Sequence, residues 1–249
     1  MRTSSKQLLV RAAARNNAEW CAAMSRSHGI PGEFGERAWT APVRTPPYYP
    51  DAVTLVPGVD AAALVARIDT AVPGASVKDS FADLDGLAEA GFRVLFDARW
   101  IHRPARTPPP SPTPALSWTV VSDPDLLRAW ALAWDDGNGD AALFRSELLD
   151  DPETFVLAGR SRGGGAHESG RVVAGAVASR GEQVVGISNV FAPDGGPDAA
   201  WPGVLGAVHR LFPTLPVVGY EHGEDLDAAM RHGFESLGPL RVWVQPAQD

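Results

Sequence analysis

Apolar positions in the C-terminal half of the chain switch between helical and strand periods, and the switches outline a run of elements. Leu116–Val121 is strand-like, and Asp123-Pro124-Asp125 opens a helix with a capping carboxylate, a proline at the first position and an acid in the first turn. Leu126, Leu127, Trp130, Ala131 and Trp134 mark the buried face of that helix. A short helix is expected from Asp140 to Leu149, followed by three strands, Thr154–Gly159, Arg171–Ser179 and Gln183–Phe191. The first two strands are joined by the Gly-rich stretch RSRGGGAHESG, and the last two by the tight turn Arg180-Gly181-Glu182. Trp201, Val204, Leu205, Val208, Leu211 and Phe212 then recur at helical spacing. Leu215–Tyr220 reads as a buried strand, Asp225–His232 as a short helix stopped by Gly233, and Phe234–Val244 as a closing strand. The order is β-α-α-β-β-β-α-β-α-β.

The N-terminal half gives part of the same order. Ser5–Met24 reads as a helix, His28–Asp51 as an irregular stretch, and Val53–Val56 as a short strand. Asp60 caps a helix that runs to about Ala71, where Pro73-Gly74 stops it. Ala75–Lys78 supplies a strand, Asp83–Ala90 a helix, and Phe92–Ile101 a closing strand, with no evident set of three strands before them. The two halves share a signature. DLDGLAEAGF begins at Asp83 and DLDAAMRHGF at Asp225, an offset of 142 (225 − 83). The same subtraction carries the helix at 201–212 onto 59–70 and the strand residues 217–220 onto 75–78. Between the halves, PARTPPPSPTPAL holds six prolines, which fix φ and remove backbone donors, so it reads as a stiff linker. The expected organisation is a first unit at 1–103, a linker at 104–115 and a second unit at 116–249.

Composition narrows the partners. The chain has 249 residues and a net charge of −8, with no basic run to lie along a phosphate backbone, so nucleic acid is not an expected partner. Cys21 is the only cysteine, which excludes an internal disulfide, and the first thirty residues lack the apolar core of a signal peptide. No apolar run approaches the roughly 20 residues that a membrane helix needs. A cytoplasmic location and no membrane association are the expectation. The six histidines show no paired ligand spacing, so no metal site is expected.

The stretches VVAGAVASRGEQVVGISNVFAP and PVVGYEHGEDLDAAMRHGFESLGPLRVWV, with the helix at 201–212 between them, resemble the GNAT superfamily of acyl-CoA-dependent N-acetyltransferases. They match its central hairpin and its closing strand-helix-Gly-Phe-strand. The resemblance covers 116–244, whereas 53–101 resembles only the later half of that fold. It implies an α/β protein with a tandem GNAT-like fold, a mixed central sheet flanked by helices, and an incomplete N-terminal unit.

The resemblance also implies a site for acetyl-CoA where the fourth and fifth strands of the second unit part. Asn189, Val190 and Phe191 would bind its pantetheine arm, and Gly195, Gly196, Ala199 and Ala200 its pyrophosphate. Free N–H groups and a helix dipole supply the anion binding there. That loop has no basic residue, and it carries Asp194 and Asp198, the latter placed to cap the helix. Its counterpart in the first unit, 56–60, also lacks a basic residue. The tyrosine that the family often uses as an acid, four residues before the Gly of Gly-Phe, is Ala229 here and Leu87 in the first unit. The family's asparagine, eleven residues before the same Gly, is matched by His222 and Ser80. The proton-transfer duty therefore passes, in this reading, to Tyr220, Glu221 and His222 at the end of the fifth strand. Trp134, Asp135 and Asp136 lie where the family walls its acceptor, and two acids would suit a cationic small-molecule amine. Two functions follow: acetyl-CoA-dependent N-acetylation of a small amine, or a non-catalytic GNAT-like module that binds a small molecule or a protein partner. Neither the acceptor nor the oligomeric state is written in these patterns.

Overall fold

Eleven strands share one sheet in the computed structural model, which describes residues 4–111, 116–134, 138–161, 170–192 and 196–247, apart from the side chain of Pro197. In chain order the first half supplies α1 (Ser5–Ser27), β1 (Glu33–Phe34), β2 (Ala38–Thr40), β3 (Ala52–Thr54), α2 (Ala61–Val65), β4 (Ser76–Asp79), α3 (Gly86–Glu89) and β5 (Arg93–Arg103). The second half supplies β6 (Leu116–Val120), α4 (Pro124–Ala133), a 3₁₀ turn (Ser146–Asp150), β7 (Thr154–Ser161), β8 (Val172–Arg180) and β9 (Val185–Phe191). It ends with α5 (Gly196–Leu211), β10 (Val217–Glu221), α6 (Gly223–Arg231) and β11 (Glu235–Val244). The mixed sheet flanked by helices is the one the sequence pattern implied. The stretch read as irregular does contain β1 and β2, but at two and three residues they are too short to show a period.

The strand order is β1-β2-β3-β4-β11-β5-β10-β9-β8-β7-β6, so the closing strands of the two halves have changed places. β11 lies against β4 of the first half, and β5 lies against β10 of the second. The registers are the same under the offset of 142. Val242 faces Lys78 and Trp100 faces Tyr220, where 242 − 100 and 220 − 78 are both 142. Arg241 faces Asp79 and Arg99 faces Glu221 by the same arithmetic, 241 − 99 and 221 − 79. In the central pair Leu240 faces Ala98, two positions that are themselves 142 apart (240 − 98), so a pseudo-twofold axis passes through that pair.

The faces of the sheet are covered differently. α5 and α6 pack on one face over Ile101, Ile187 and Val217, and on the same face α2 and α3 close over Val77 and Trp243. On the other face α1 crosses the axis over Trp100, Val218, Leu240 and Val242, and α4 packs beside it through Leu127 and Trp130. α1 precedes β1–β3 as α4 precedes β7–β9, on the same face of the sheet, but it is longer, with 23 residues against ten. Ser4 and Gln7 form a capping box at its start. Its buried Asn16 donates to Ser179 O at 2.9 Å and accepts from Ser179 Oγ at 3.1 Å, which fixes the helix on β8. The beginning of the Pro-rich stretch is also held, because Arg103 donates to His232 O at 2.9 Å and to Thr107 O at 2.9 Å.

Candidate functional site

β9 and β10 run parallel but pair only at Val185–Val217 and Gly186–Val218, and then separate. Two features shape the parting. Asn189 has a left-handed φ of 53°, and β9 is bulged there, since Ser188 faces Val177 and Phe191 faces Gly175. On β10, Gly219 keeps the throat narrow: a Cβ at that position would come within 3.0 Å of Ile187 O. α5 follows β9 in the chain, and its first residue is Gly196.

Strand alternation sends the residues at the end of β10 to opposite faces. Tyr220 points towards α1, where its ring packs edge-on against Trp100 and its hydroxyl accepts a hydrogen bond from Lys78 Nζ at 3.1 Å. The Lys78 ammonium also donates to Asn17 Oδ1 at 2.8 Å and stands 4.3 Å from the centre of the Tyr220 ring. Burial opposes this charge. The negative charge that Tyr220 and Cys21 can take on, together with the hydrogen bond to Tyr220, outweighs burial and holds Lys78 above the usual lysine range. Cys21, next to it, is pushed up by burial and stays a neutral thiol. Tyr49, from the first half, completes this chamber beside Asn189. Its buried hydroxyl makes no aligned hydrogen bond, and burial raises it well above an ordinary tyrosine.

Glu221 lies on the other face, above α6. Burial, with a smaller push from Asp225, raises its pKa to about 8. His222 is exposed, rests on Phe96 with ring centres 4.9 Å apart, and makes no side-chain cap to α6 although it occupies the N-cap position. The three residues grouped by sequence thus separate: Tyr220 on one side of the gap, Glu221 on the other, and His222 outside it.

At the far end of the gap, Asp198 corrects an expectation. Its carboxylate does not cap α5. It accepts from Arg231 Nε at 3.1 Å and Nη2 at 2.5 Å, and lies 2.8 Å from His232 Nε2. The hydrogen bond from Arg231 is the main cause that lowers its pKa. Its charge is therefore matched by a basic side chain from the end of α6, not left to oppose a phosphate. The loop expected ahead of the helix is shorter: Gly196, Ala199 and the buried Ala200 already form the first turn and a half of α5, a start that an acid in the first turn suits, while Gly195 and Asp194 lie outside the described residues.

The equivalent place in the first half is stitched shut. Ser80 N donates to Thr54 Oγ1 at 2.8 Å across the end of the β3–β4 pair, Gly58 N donates to Asp83 at 2.8 Å, and Ala63 N to Asp60 at 2.7 Å. Three backbone N–H groups at this strand end, loop and helix start are thus already held by side chains of the same half.

The proposed acceptor wall is aromatic where it is described. Trp134 packs edge-on against Phe144, with ring centres 5.4 Å apart, and against Tyr48 from the first half at 5.5 Å. Asp135 and Asp136 lie outside the described residues. Among the described residues no group of three His, Cys, Asp or Glu side chains could hold a metal ion, and no helix is long and apolar enough to cross a membrane.

Lys78, Tyr49 and Arg231 were not singled out by the sequence. The offset of 142 aligns Lys78 with Tyr220 (220 − 78), which is the one signal that could have found it.

No protein-family model and no curated protein matches the sequence. Solved structures match the fold. A GCN5-related N-acetyltransferase from Kribbella flavida is 16% identical with a TM-score of 0.63, covering 95% of this chain and 96% of its own. A GCN5-related N-acetyltransferase from Sphaerobacter thermophilus is 15% identical with a TM-score of 0.54, over 96% and 95% of the two chains. A putative acetyltransferase of the GNAT family from Novosphingobium aromaticivorans is 15% identical with a TM-score of 0.52, over 92% and 96%. The chain has the GNAT fold over nearly its whole length.

Proposed function

We propose that the protein transfers an acetyl group from acetyl-CoA to a small amine, using the gap between β9 and β10 of the second half. The observation that carries this reading is the gap itself: a parallel pair that separates after two residue pairs, bulged at Asn189 and continuous with the start of a sixteen-residue helix. The backbone of Asn189, Val190 and Phe191 would hold the pantetheine arm. The N–H groups of the first turn of α5, around Gly196, Ala199 and Ala200, would face the pyrophosphate, with Arg231 cancelling the charge of Asp198 that would otherwise oppose it. Acetyl-CoA supplies an activated acyl carbon. Tyr220 donates the proton needed on the departing side. Glu221 accepts the proton of the attacking amine, and a carboxyl group near pKa 8 is tuned for that task at slightly alkaline pH. Because the two side chains stand on opposite faces of the sheet, they do not neutralise each other. Tyr48 and Trp134 would wall the acceptor.

Calorimetric titration with acetyl-CoA tests the reading. Binding in the micromolar range is expected, and Arg231→Ala should weaken it about tenfold by leaving Asp198 unmatched near the pyrophosphate. Acetyl-pantetheine, which lacks that group, should bind both proteins alike. No binding by the unaltered chain would overturn the proposal. The second reading, a non-catalytic module, is favoured by Ala229, which stands where the family's acid tyrosine would be. Acetyl-CoA binding without transfer to any of a panel of primary amines would put that reading ahead.

A further inference from the structure

We propose that Lys78, delivered by the first half, is the charge partner of Tyr220 in acyl transfer, so that one reaction centre is assembled from the same position of both halves. The inference rests on the acyl-CoA reading of the β9–β10 gap and adds to it a residue from outside the second unit.

Lys78 is 4% exposed, and among the described residues no carboxylate forms an ion pair with it. A buried ammonium without a counter-ion is costly, and such groups persist where the charge has work to do. Its polar partners are neutral: Asn17 Oδ1 at 2.8 Å and Tyr220 Oη at 3.1 Å. Because Tyr220 accepts from Lys78, its own hydroxyl proton is directed elsewhere, and no acceptor for it is found among the described residues. The hydroxyl of Tyr49 is buried nearby and faces the side chain of Asn189. The cluster beneath α1 therefore presents an ammonium and the Tyr220 hydroxyl proton, with the thiol of Cys21 and the hydroxyl of Tyr49 as the remaining titratable groups. A cluster of donors lacking an anion is complementary to negative charge.

Acyl transfer produces such a charge. As the acceptor nitrogen bonds to the acyl carbon, the C–S bond breaks and its electron pair stays on sulfur. Tyr220 passes its proton to that sulfur and becomes a tyrosinate, which the adjacent Lys78 ammonium stabilises. The proton lost by the amine goes to Glu221, which releases it to solvent as solvent returns one to the tyrosinate, so charge and protons balance. The same arrangement favours bound coenzyme A and Tyr220 with one proton shared between sulfur and phenol oxygen, a single negative charge beside Lys78, so binding of coenzyme A releases a proton.

The test is proton release. Coenzyme A is titrated into the full chain at pH 8 in two buffers of different ionisation enthalpy, and the buffer dependence of the heat gives the number of protons released. The unaltered protein should release close to one. Lys78→Met, nearly the same length and confirmed as folded by near-ultraviolet circular dichroism, should bind within about tenfold of it and release none. Lys78→Arg should restore the release. Tyr220→Phe should slow transfer from acetyl-CoA about a hundredfold. If Lys78→Met does not fold, the shorter Lys78→Gln, which keeps a donor for Asn17, takes its place. Binding without proton release by the unaltered chain, or equal release by the neutral variants, overturns the role of Lys78 and leaves the acyl-CoA reading standing. Failure of coenzyme A and acetyl-CoA to bind at all removes that reading and this inference together.

Discussion

Glu221 shows how one backbone step divides the chemistry of the site. It follows Tyr220 directly, so strand alternation places it on the α6 face, where burial raises its carboxyl to about 8. A carboxyl with a folded pKa above its unfolded value binds its proton more tightly in the folded state. The protein should therefore lose stability as pH rises from about 4.5 to about 8, with the full cost present above that window. Glu221→Gln removes the cost. Its melting point should match that of the unaltered protein near pH 4 and exceed it above pH 8, by about 2–4 kcal/mol in unfolding free energy. Equal pH profiles for the two proteins would show that Glu221 is as solvated as an ordinary carboxylate. Sequence reasoning singled out Tyr220 and Glu221 through the family resemblance, which directs attention to the end of the fifth strand. It passed over Lys78 because a lone lysine after three strand residues has no local signal, and its meeting with Tyr220 depends on a strand exchange that no local pattern encodes.

At the scale of elements, the bulge in β9 is what parts the sheet. A β-branched residue is strained in the left-handed region, so Asn189→Val should cost about 1–2 kcal/mol and narrow the gap, weakening acetyl-CoA binding. Asn189→Gly should keep both stability and binding, as thermal melts and calorimetry would show. The amphipathic helices α4, α5 and α6 are legible from their periods, but α5 starts at Gly196, five residues (201 − 196) before the apolar run that marks it. The twin helices were recognised as a pair, yet α3 has only four residues against nine in α6. Gly86 replaces Ala228 of the second copy and disfavours helix, and the space explains why it is there: a Cβ at Gly86 would sit 3.1 Å from Ala61 Cβ on α2. The segment from 41 to 51, which carries Tyr48 and Tyr49, has no period to read. It is ordered by the buried Asp51, whose carboxylate accepts from Thr45 N at 2.9 Å, Ser76 N at 2.8 Å and Arg44 Nη1 at 2.8 Å.

For the molecule as a whole, each half is finished by a strand of the other. β11 buries Leu237, Leu240 and Val242 under α1 and turns Trp243 into the core of the first half, so its loss opens both. Ending the chain after Gly233 should therefore abolish folding of the whole protein and not only of its second half. The full chain should unfold in one calorimetric transition, with van't Hoff and calorimetric enthalpies in agreement; two resolved transitions would mean that the halves hold together separately. The order of elements could be read from the sequence in the second half, though not β1 and β2 of the first. Which closing strand pairs with which could not, because β5 and β11 suit either neighbour by their patterns, and the choice is made between residues more than a hundred positions apart. The exchange also bears on ancestry. In a dimer of identical chains joined this way, each residue beside the axis would confront its own copy, and positions 78 and 220 would have to be two lysines or two tyrosines. Carrying both halves on one gene frees the two positions to mutate separately, so a proton donor and a fixed cation can meet where symmetry would have permitted only a matched pair, at the cost of keeping one site in place of two.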